Sequence, residues 1–184
     1  MTTLAELRDR LPDYAKDLRL NLDSITNEAG APGLHQKQIW LIACASALTA
    51  GDRVLCAALA DAGRLSAEER DAAAAAFAVM SMNNIYYRFT YLVSDLAYRE
   101  LPPRLRMNVM ARPGIDKPSF ELCALAVSAI NGCGQCMDSH EKILRQHGVG
   151  VDSVHSTVRI AAVIKAIASV LAIVPENAGS LWTS

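Results

Sequence analysis

Apolar residues recur along this chain at three- and four-residue steps, and no convincing stretch alternates apolar and polar positions as a strand does. Leu4, Leu7, Leu11, Tyr14, Leu18, Leu22 and Ile25 form the first such series. Thr3 followed by Glu6 has the capping-box pattern at its start, and Pro12 divides or kinks it. The run NEAGAPG, residues 27–33, reads as a loop. Helical patterns follow over about 35–50 and 52–62, punctuated by Gly51 and Gly63. Ser66 and Glu69 make a second capping box, opening a long alanine-rich helix through AAAAAFAVM. The segment from Leu101 to Lys117, with three prolines and Gly114, is expected to be a linker or an irregular connection. Beyond it the periodicity predicts helices over about 118–130, 133–146 and 152–174. The many alanines suit close helix–helix contact, because small side chains let axes approach. The expectation is an all-α helical bundle forming a single domain over residues 1–184.

One internal echo accompanies this pattern. Ala78, Val79 and Asn83 match Ala126, Val127 and Asn131 at the same internal spacing. Ile85 and Arg88 then stand where the later segment has Cys133 and Cys136. A two-fold helical repeat, with chemistry surviving in the second half, would leave this trace.

Composition narrows the function classes. A chain of 184 residues, 52% of them apolar, is long enough to build a core without disulfides or metals. A formal net charge of −1 argues against a nucleic-acid binder, which carries a basic face. The opening MTTLAELRDRLPDYAKD is charged throughout and lacks the apolar stretch of a signal peptide. The greasy stretch Ile160–Val174 is interrupted by Lys165 and Ser169 and is short of the roughly 20 residues that span a bilayer. A cytoplasmic protein with no membrane and no nucleic-acid partner is expected. In a reducing compartment, a close cysteine pair points to catalysis or metal binding rather than a structural staple.

Such a pair occurs in NGCGQCMDSHE, residues 131–141. Asn131-Gly132 suits a helix end, since Gly adopts the left-handed conformation of a C-cap. Cys133 to Cys136 then fall in the first turn of the next helix, where free N–H groups and the helix dipole favour a thiolate. His140 follows Cys136 by four residues and Cys133 by seven, so all three share one helix face. If the two flanking helices run antiparallel from a tight turn, Cys136 lies roughly 5 Å, His140 roughly 11 Å and Glu121 roughly 15 Å from it. If Glu121 also faces its partner helix, the spacing lets its carboxylate reach the imidazole directly or through a water, an acid–histidine–thiol line. A metal clip, a buried inert pair and a redox centre remain the readings. Structural zinc needs four ligands, commonly including a second short-spaced pair, and His147, His155, Cys44, Cys56 and Cys123 form none. A thioredoxin-like motif needs a βαβ setting, which is missing here. Glycine and glutamine between the cysteines make a poor core sequence.

The run FELCALAVSAINGCGQCMDSHEKIL, the lead-in IDKPSFEL and the upstream LRMNVMARPGI resemble the AhpD family of alkyl hydroperoxide reductases, within the all-α carboxymuconolactone decarboxylase-like superfamily. The resemblance extends from PDYAKDLRLNL through SMNNIYYR to the end of the chain. It implies an antioxidant alkyl hydroperoxidase in which Cys136 reacts with the peroxide through a sulfenic acid. Cys133 resolves that acid as a disulfide and donates a proton, and Glu121 and His140 form the relay that activates the thiol. It further implies a homotrimer; since the chain itself supplies this chemistry, no bound cofactor and no metal is expected. Dihydrolipoamide on a lipoyl-bearing 2-oxoacid dehydrogenase component is the implied external reductant, and the peroxiredoxin AhpC receives the electrons. A second expectation, from another class, is an electron-transfer adaptor between dihydrolipoamide and AhpC with little peroxidase activity of its own. Gln135 departs from family members that carry histidine between the cysteines, and glutamine shuttles no proton at neutral pH.

Other residues are expected to be structural. Cys44, Cys56 and Cys123 lie in apolar helical stretches and read as small hydrophobes. His35 reads as a loop or helix-start residue, His147 as a helix-end residue and His155 as a flank residue. Met80, Met82, Met107 and Met110 read as core or interface filler. Tyr86, Tyr87 and Tyr91, near Arg88, read as pocket or contact residues.

Overall fold

The computed structural model describes residues 2–174, so residues 1 and 175–184 of the expected domain lie outside the described residues. Among these residues there are helices and turns and no strand, as the periodicity predicts. The helices are α1 (Leu4–Asp9), α2 (Lys16–Ile25), α3 (Gln36–Thr49), α4 (Arg53–Ala62), α5 (Ala67–Leu92), α6 (Ala97–Glu100), α7 (Lys117–Ile130), α8 (Gly134–Gln146) and α9 (Val151–Leu171). Both capping boxes form: Thr3 accepts from the Glu6 amide, and Ser66 from the Glu69 amide, with each glutamate returning to the cap. A third, unexpected box uses His35 and Gln38 at the start of α3. Pro12 does separate two helices, with a 3₁₀ turn at Asp13–Ala15 between them.

The bundle centres on α3 and α7. In α7 every residue from Ser119 to Ser128 is buried, and in α3 the same holds from Leu41 to Ala47. Helices apolar all round must be covered all round. Accordingly α3 packs on α4, α5, α7 and α9, while α7 packs on α3, α5, α8 and α9. Ala43, Ala45, Ala124, Ala126, Ala73 and Ala76 lie in this centre, so the axes come close, and Ile39, Ile42, Phe120 and Leu125 fill the remaining space. Truncating one such large side chain to alanine costs about 2–5 kcal/mol. By length and composition α9 could cross a bilayer, being longer as a helix than the interrupted stretch 160–174 suggests. Here it serves as a core helix: Ile160, Ile164 and Ile167 are buried, and it packs on α2, α3 and α7.

Two features add detail to the expected outline. The connection 101–117 contains a 3₁₀ turn at Asn108–Met110, and the short α6 precedes it. The echo between 78–83 and 126–131 does not extend to the turn, because α5 runs unbroken through Asn83 whereas α7 stops at Ile130.

Candidate functional site

The site is built where α7 turns into α8. Gly132 has φ +68°, the left-handed conformation that strains any residue with a side chain. The Gly132 amide donates to the Ala129 carbonyl and the Cys133 amide to the Ser128 carbonyl at 3.0 Å, the paired bonds of a Schellman motif. From α5, Arg88 donates to the Asn131 carbonyl at 2.6 Å. Asn131 Nδ2 donates to Asn84 Oδ1, and Asn84 Nδ2 to Ser128 Oγ at 2.9 Å. Turn and long helix are thereby tied together.

Cys133 is the N-cap of α8, its sulfur accepting from the Cys136 amide at 3.3 Å. The two cysteines form a disulfide with Cα atoms 5.3 Å apart. Cys133 is fully enclosed, whereas Cys136 is 6% exposed and lines a cavity of about 540 Å³. His140, one turn further along α8, lines the same cavity.

Glu121 and His140 meet directly. His140 Nδ1 lies 2.5 Å from Glu121 Oε2, and both side chains are buried. A carboxylate accepts only, so Nδ1 carries a proton, and Nε2 is the ring nitrogen turned to the side of Met80. Lys117, four residues before Glu121, places its ammonium 2.5 Å from Oε1. Burial pushes the Glu121 carboxyl up, but His140 and Lys117 together outweigh it and hold the group below its ordinary value. The carboxylate is therefore ionised at neutral pH and polarises the imidazole.

Lys117 joins the site unexpectedly, although its i,i+4 spacing to Glu121 is the signal for such a pair. The methionines pack in or against the core as expected, and three of them also line the site. Met80 Sδ lies 3.2 Å from His140 Nε2, and Met80, Met107 and Met110 wall the cavity together with Asn83, Tyr87 and Gln135. Met82 is packed against the core as expected. Tyr86 and Tyr87 stack edge to face, and only Tyr87 reaches the cavity.

The remaining candidates lie elsewhere. Cys123 is buried in α7, its thiol pushed up to about 12 by burial. Cys44 and Cys56 touch across α3 and α4: the Cys44 thiol lies 3.7 Å from the Cys56 carbonyl oxygen. The pairing of the two thiol side chains, together with burial, pushes the Cys44 thiol up, and the same pairing lowers the Cys56 thiol. The separate apolar settings of these two cysteines, twelve residues apart, give no sign of that contact. His35 caps α3, His147 ends α8 and His155 is exposed on α9. Among the described residues, no three His, Cys, Asp or Glu side chains converge as metal ligands would.

Comparison with known proteins places this geometry in context. Residues 97–175 match the carboxymuconolactone decarboxylase family. The chain is 51% identical over 168 residues to the alkyl hydroperoxide reductase AhpD of Rhizorhabdus wittichii, across 91% of this chain and 96% of the relative. It is 52% identical over 168 residues to the protein of that name from Maricaulis maris, across 90% and 95%. For the one from Streptomyces avermitilis the identity is 48% over 171 residues, across 91% and 94%.

Proposed function

This chain belongs to the AhpD family of alkyl hydroperoxide reductases, and on that premise we propose that it reduces hydroperoxides through a Cys133/Cys136 dithiol–disulfide cycle. The observation that carries the reading is the asymmetry of the pair: Cys136 faces the cavity with His140, while Cys133 is enclosed behind it. In the dithiol form, His140 Nε2 takes the Cys136 proton, helped by the anionic Glu121 on Nδ1. The thiolate attacks the terminal oxygen of R–O–O–H and the O–O bond breaks. The products are Cys136–S–OH and an alkoxide, which leaves as the alcohol after receiving the imidazolium proton. The Cys133 thiol then attacks the sulfenic acid sulfur, forming the disulfide and releasing water. A dithiol reopens the disulfide and is itself oxidised to its cyclic disulfide. Lys117 keeps Glu121 ionised throughout. Two thiols and their relay supply all the chemistry, so no bound cofactor is required.

Dihydrolipoamide, carried on a lipoyl-bearing 2-oxoacid dehydrogenase component, is the proposed reductant, and AhpC the proposed recipient of electrons through a mixed disulfide on Cys136. Both belong to the cytoplasm, where dithiols stay reduced. Ile85, Phe89 and Leu92 form an exposed apolar stripe at helical spacing on α5, continued by Leu96, Tyr98 and Leu101. A surface of this kind supports self-association, and we assign it to the homotrimer contact. Sedimentation showing only monomer at micromolar concentration would remove that assignment.

Stopped-flow mixing of the isolated dithiol form with cumene hydroperoxide, with and without AhpC, tests the whole reading. Rapid oxidation without AhpC is the expected result. Oxidation seen only when AhpC is present would replace the peroxidase by an electron-transfer adaptor.

A further inference from the structure

Two adjacent asparagines on α5 face the site, and their hydrogen bonds differ. Asn84 uses both ends of its amide, donating to Ser128 Oγ and accepting from Asn131 Nδ2. Asn83 is also buried, at 4% exposure, and lines the cavity with Cys136 and His140. Its Nδ2 lies 3.0 Å from Met107 Sδ and 3.9 Å from Met110 Sδ. A thioether sulfur accepts and never donates, so the nitrogen faces the sulfurs and the carbonyl oxygen is the amide's other end. That oxygen is buried and accepts no hydrogen bond from any described residue. A buried carbonyl is costly to the fold unless a donor reaches it, so beside a cavity it is an acceptor that water or a ligand's donor can fill.

The surroundings narrow the ligand. The cavity that Asn83 lines is also walled by Met80, Met107, Met110 and Tyr87, which suit an apolar body. The ligand that fits has a single O–H donor on an apolar group, within reach of Cys136. An alkyl hydroperoxide has that form, and its one hydrogen sits on the terminal oxygen, the atom that a thiolate attacks.

We propose that Asn83 Oδ1 accepts the hydrogen bond from the terminal O–H of the hydroperoxide and presents that oxygen to Cys136. This rests on the reading of Cys136 as the attacking thiol. The hydrogen of that O–H is not consumed when the O–O bond breaks: it travels with the oxygen onto sulfur. Asn83 therefore keeps its bond as R–O–O–H becomes Cys136–S–O–H, while the departing alkoxide takes its proton from His140. The methionines hold the alkyl group, and a dialkyl peroxide, having no hydrogen to give, is not oriented.

The test uses the full chain and two variants, Asn83→Leu, which keeps the volume, and Asn83→Ala, which tolerates loss of it. Three rates are measured for each: oxidation of the dithiol form by cumene hydroperoxide, alkylation of Cys136 by iodoacetamide, and reduction of the disulfide by free dihydrolipoamide. The expected result is a fall of about 10- to 100-fold in peroxide oxidation, the size of one lost buried hydrogen bond. The alkylation and reduction rates, and the pH midpoint of alkylation, should stay at the parent's values. Peroxide oxidation equal to the parent's in both variants would overturn the role of Asn83. An equal fall in all three rates would overturn it too, since that reports a general distortion of the site. A parent that does not react with the hydroperoxide at all would instead overturn the peroxidase reading, and this proposal with it.

Discussion

Replacing Glu121 by glutamine removes one charge from an enclosed site while leaving an oxygen to accept from His140 Nδ1. The carboxylate is fully buried, 2.5 Å from the imidazole, and the imidazole is 4% exposed, so solvent screens the contact little. A hydrogen bond to a charged group in such a place is worth about 1.5–3 kcal/mol. The loss falls on the imidazolium more than on the neutral ring, because glutamine still accepts from Nδ1–H. At about 1.4 kcal/mol per tenfold, Glu121→Gln should slow oxidation of Cys136 by hydroperoxide about 10- to 100-fold. His140→Phe removes the proton acceptor itself and should cost about 10²–10⁴-fold. The double variant should be barely worse than His140→Phe, since groups acting as one relay are not additive. Stability should change little. Without His140 the carboxylate keeps Lys117, and without the carboxylate the partly exposed Lys117 can turn to water. The assay is stopped-flow oxidation of the dithiol form, accompanied by the pH dependence of Cys136 alkylation in each variant. Alkylation curves that overlay the parent's would show that neither residue tunes the thiol, and the relay from Glu121 to Cys136 would fall.

Mild hydroperoxide should remove two thiols per chain, restored by dihydrolipoamide, with Cys44, Cys56 and Cys123 still titrating. Loss of four would bring the Cys44–Cys56 contact into the cycle. Glu121 titrates below its ordinary 4.5, so its ionisation favours the folded chain: the contribution is complete above that value and fades as pH falls through the lower folded one. Lys117→Met removes a group that lowers the carboxyl, so acid unfolding should begin at a higher pH, and an unchanged acid limb of the melting curve would contradict this. Gly132→Ala meets no atom within 4 Å, so only the positive φ opposes it. It should cost about 1–2 kcal/mol and lower the melting temperature by a few degrees, roughly 2–4 °C per kcal/mol. A melting temperature equal to the parent's would deny the turn its strain.

Features set by near neighbours are legible in the sequence itself. The two capping boxes, the break at Pro12, the Gly132 turn and the cysteine–histidine face each depend on residues within about one or two turns, and each forms. The Glu121–His140 meeting is within reach because a tight turn between antiparallel helices fixes the register of the pair. The cavity wall is not. Met80 and His140 are sixty residues apart, and Asn83 meets Met107 only because the irregular connection folds back over α5. Periodicity reports which face of a helix is apolar, not which helix it meets, so a methionine beside an imidazole reads the same as one in the core. The Cys44–Cys56 contact escapes for the same reason. Lys117 is within reach by its spacing, but its place at the edge of a proline-rich connection hides it.

The central claim, that Cys136 is the sulfur that meets the peroxide, is open to one direct measurement. The variant Cys133→Ser, in reduced form, is exposed to one equivalent of cumene hydroperoxide in the presence of dimedone, and the labelled residue is located by mass spectrometry. The account predicts a dimedone adduct on Cys136, and none on Cys133 in the reciprocal Cys136→Ser variant. An adduct on Cys133 in Cys136→Ser, with Cys136 unlabelled in Cys133→Ser, would contradict it.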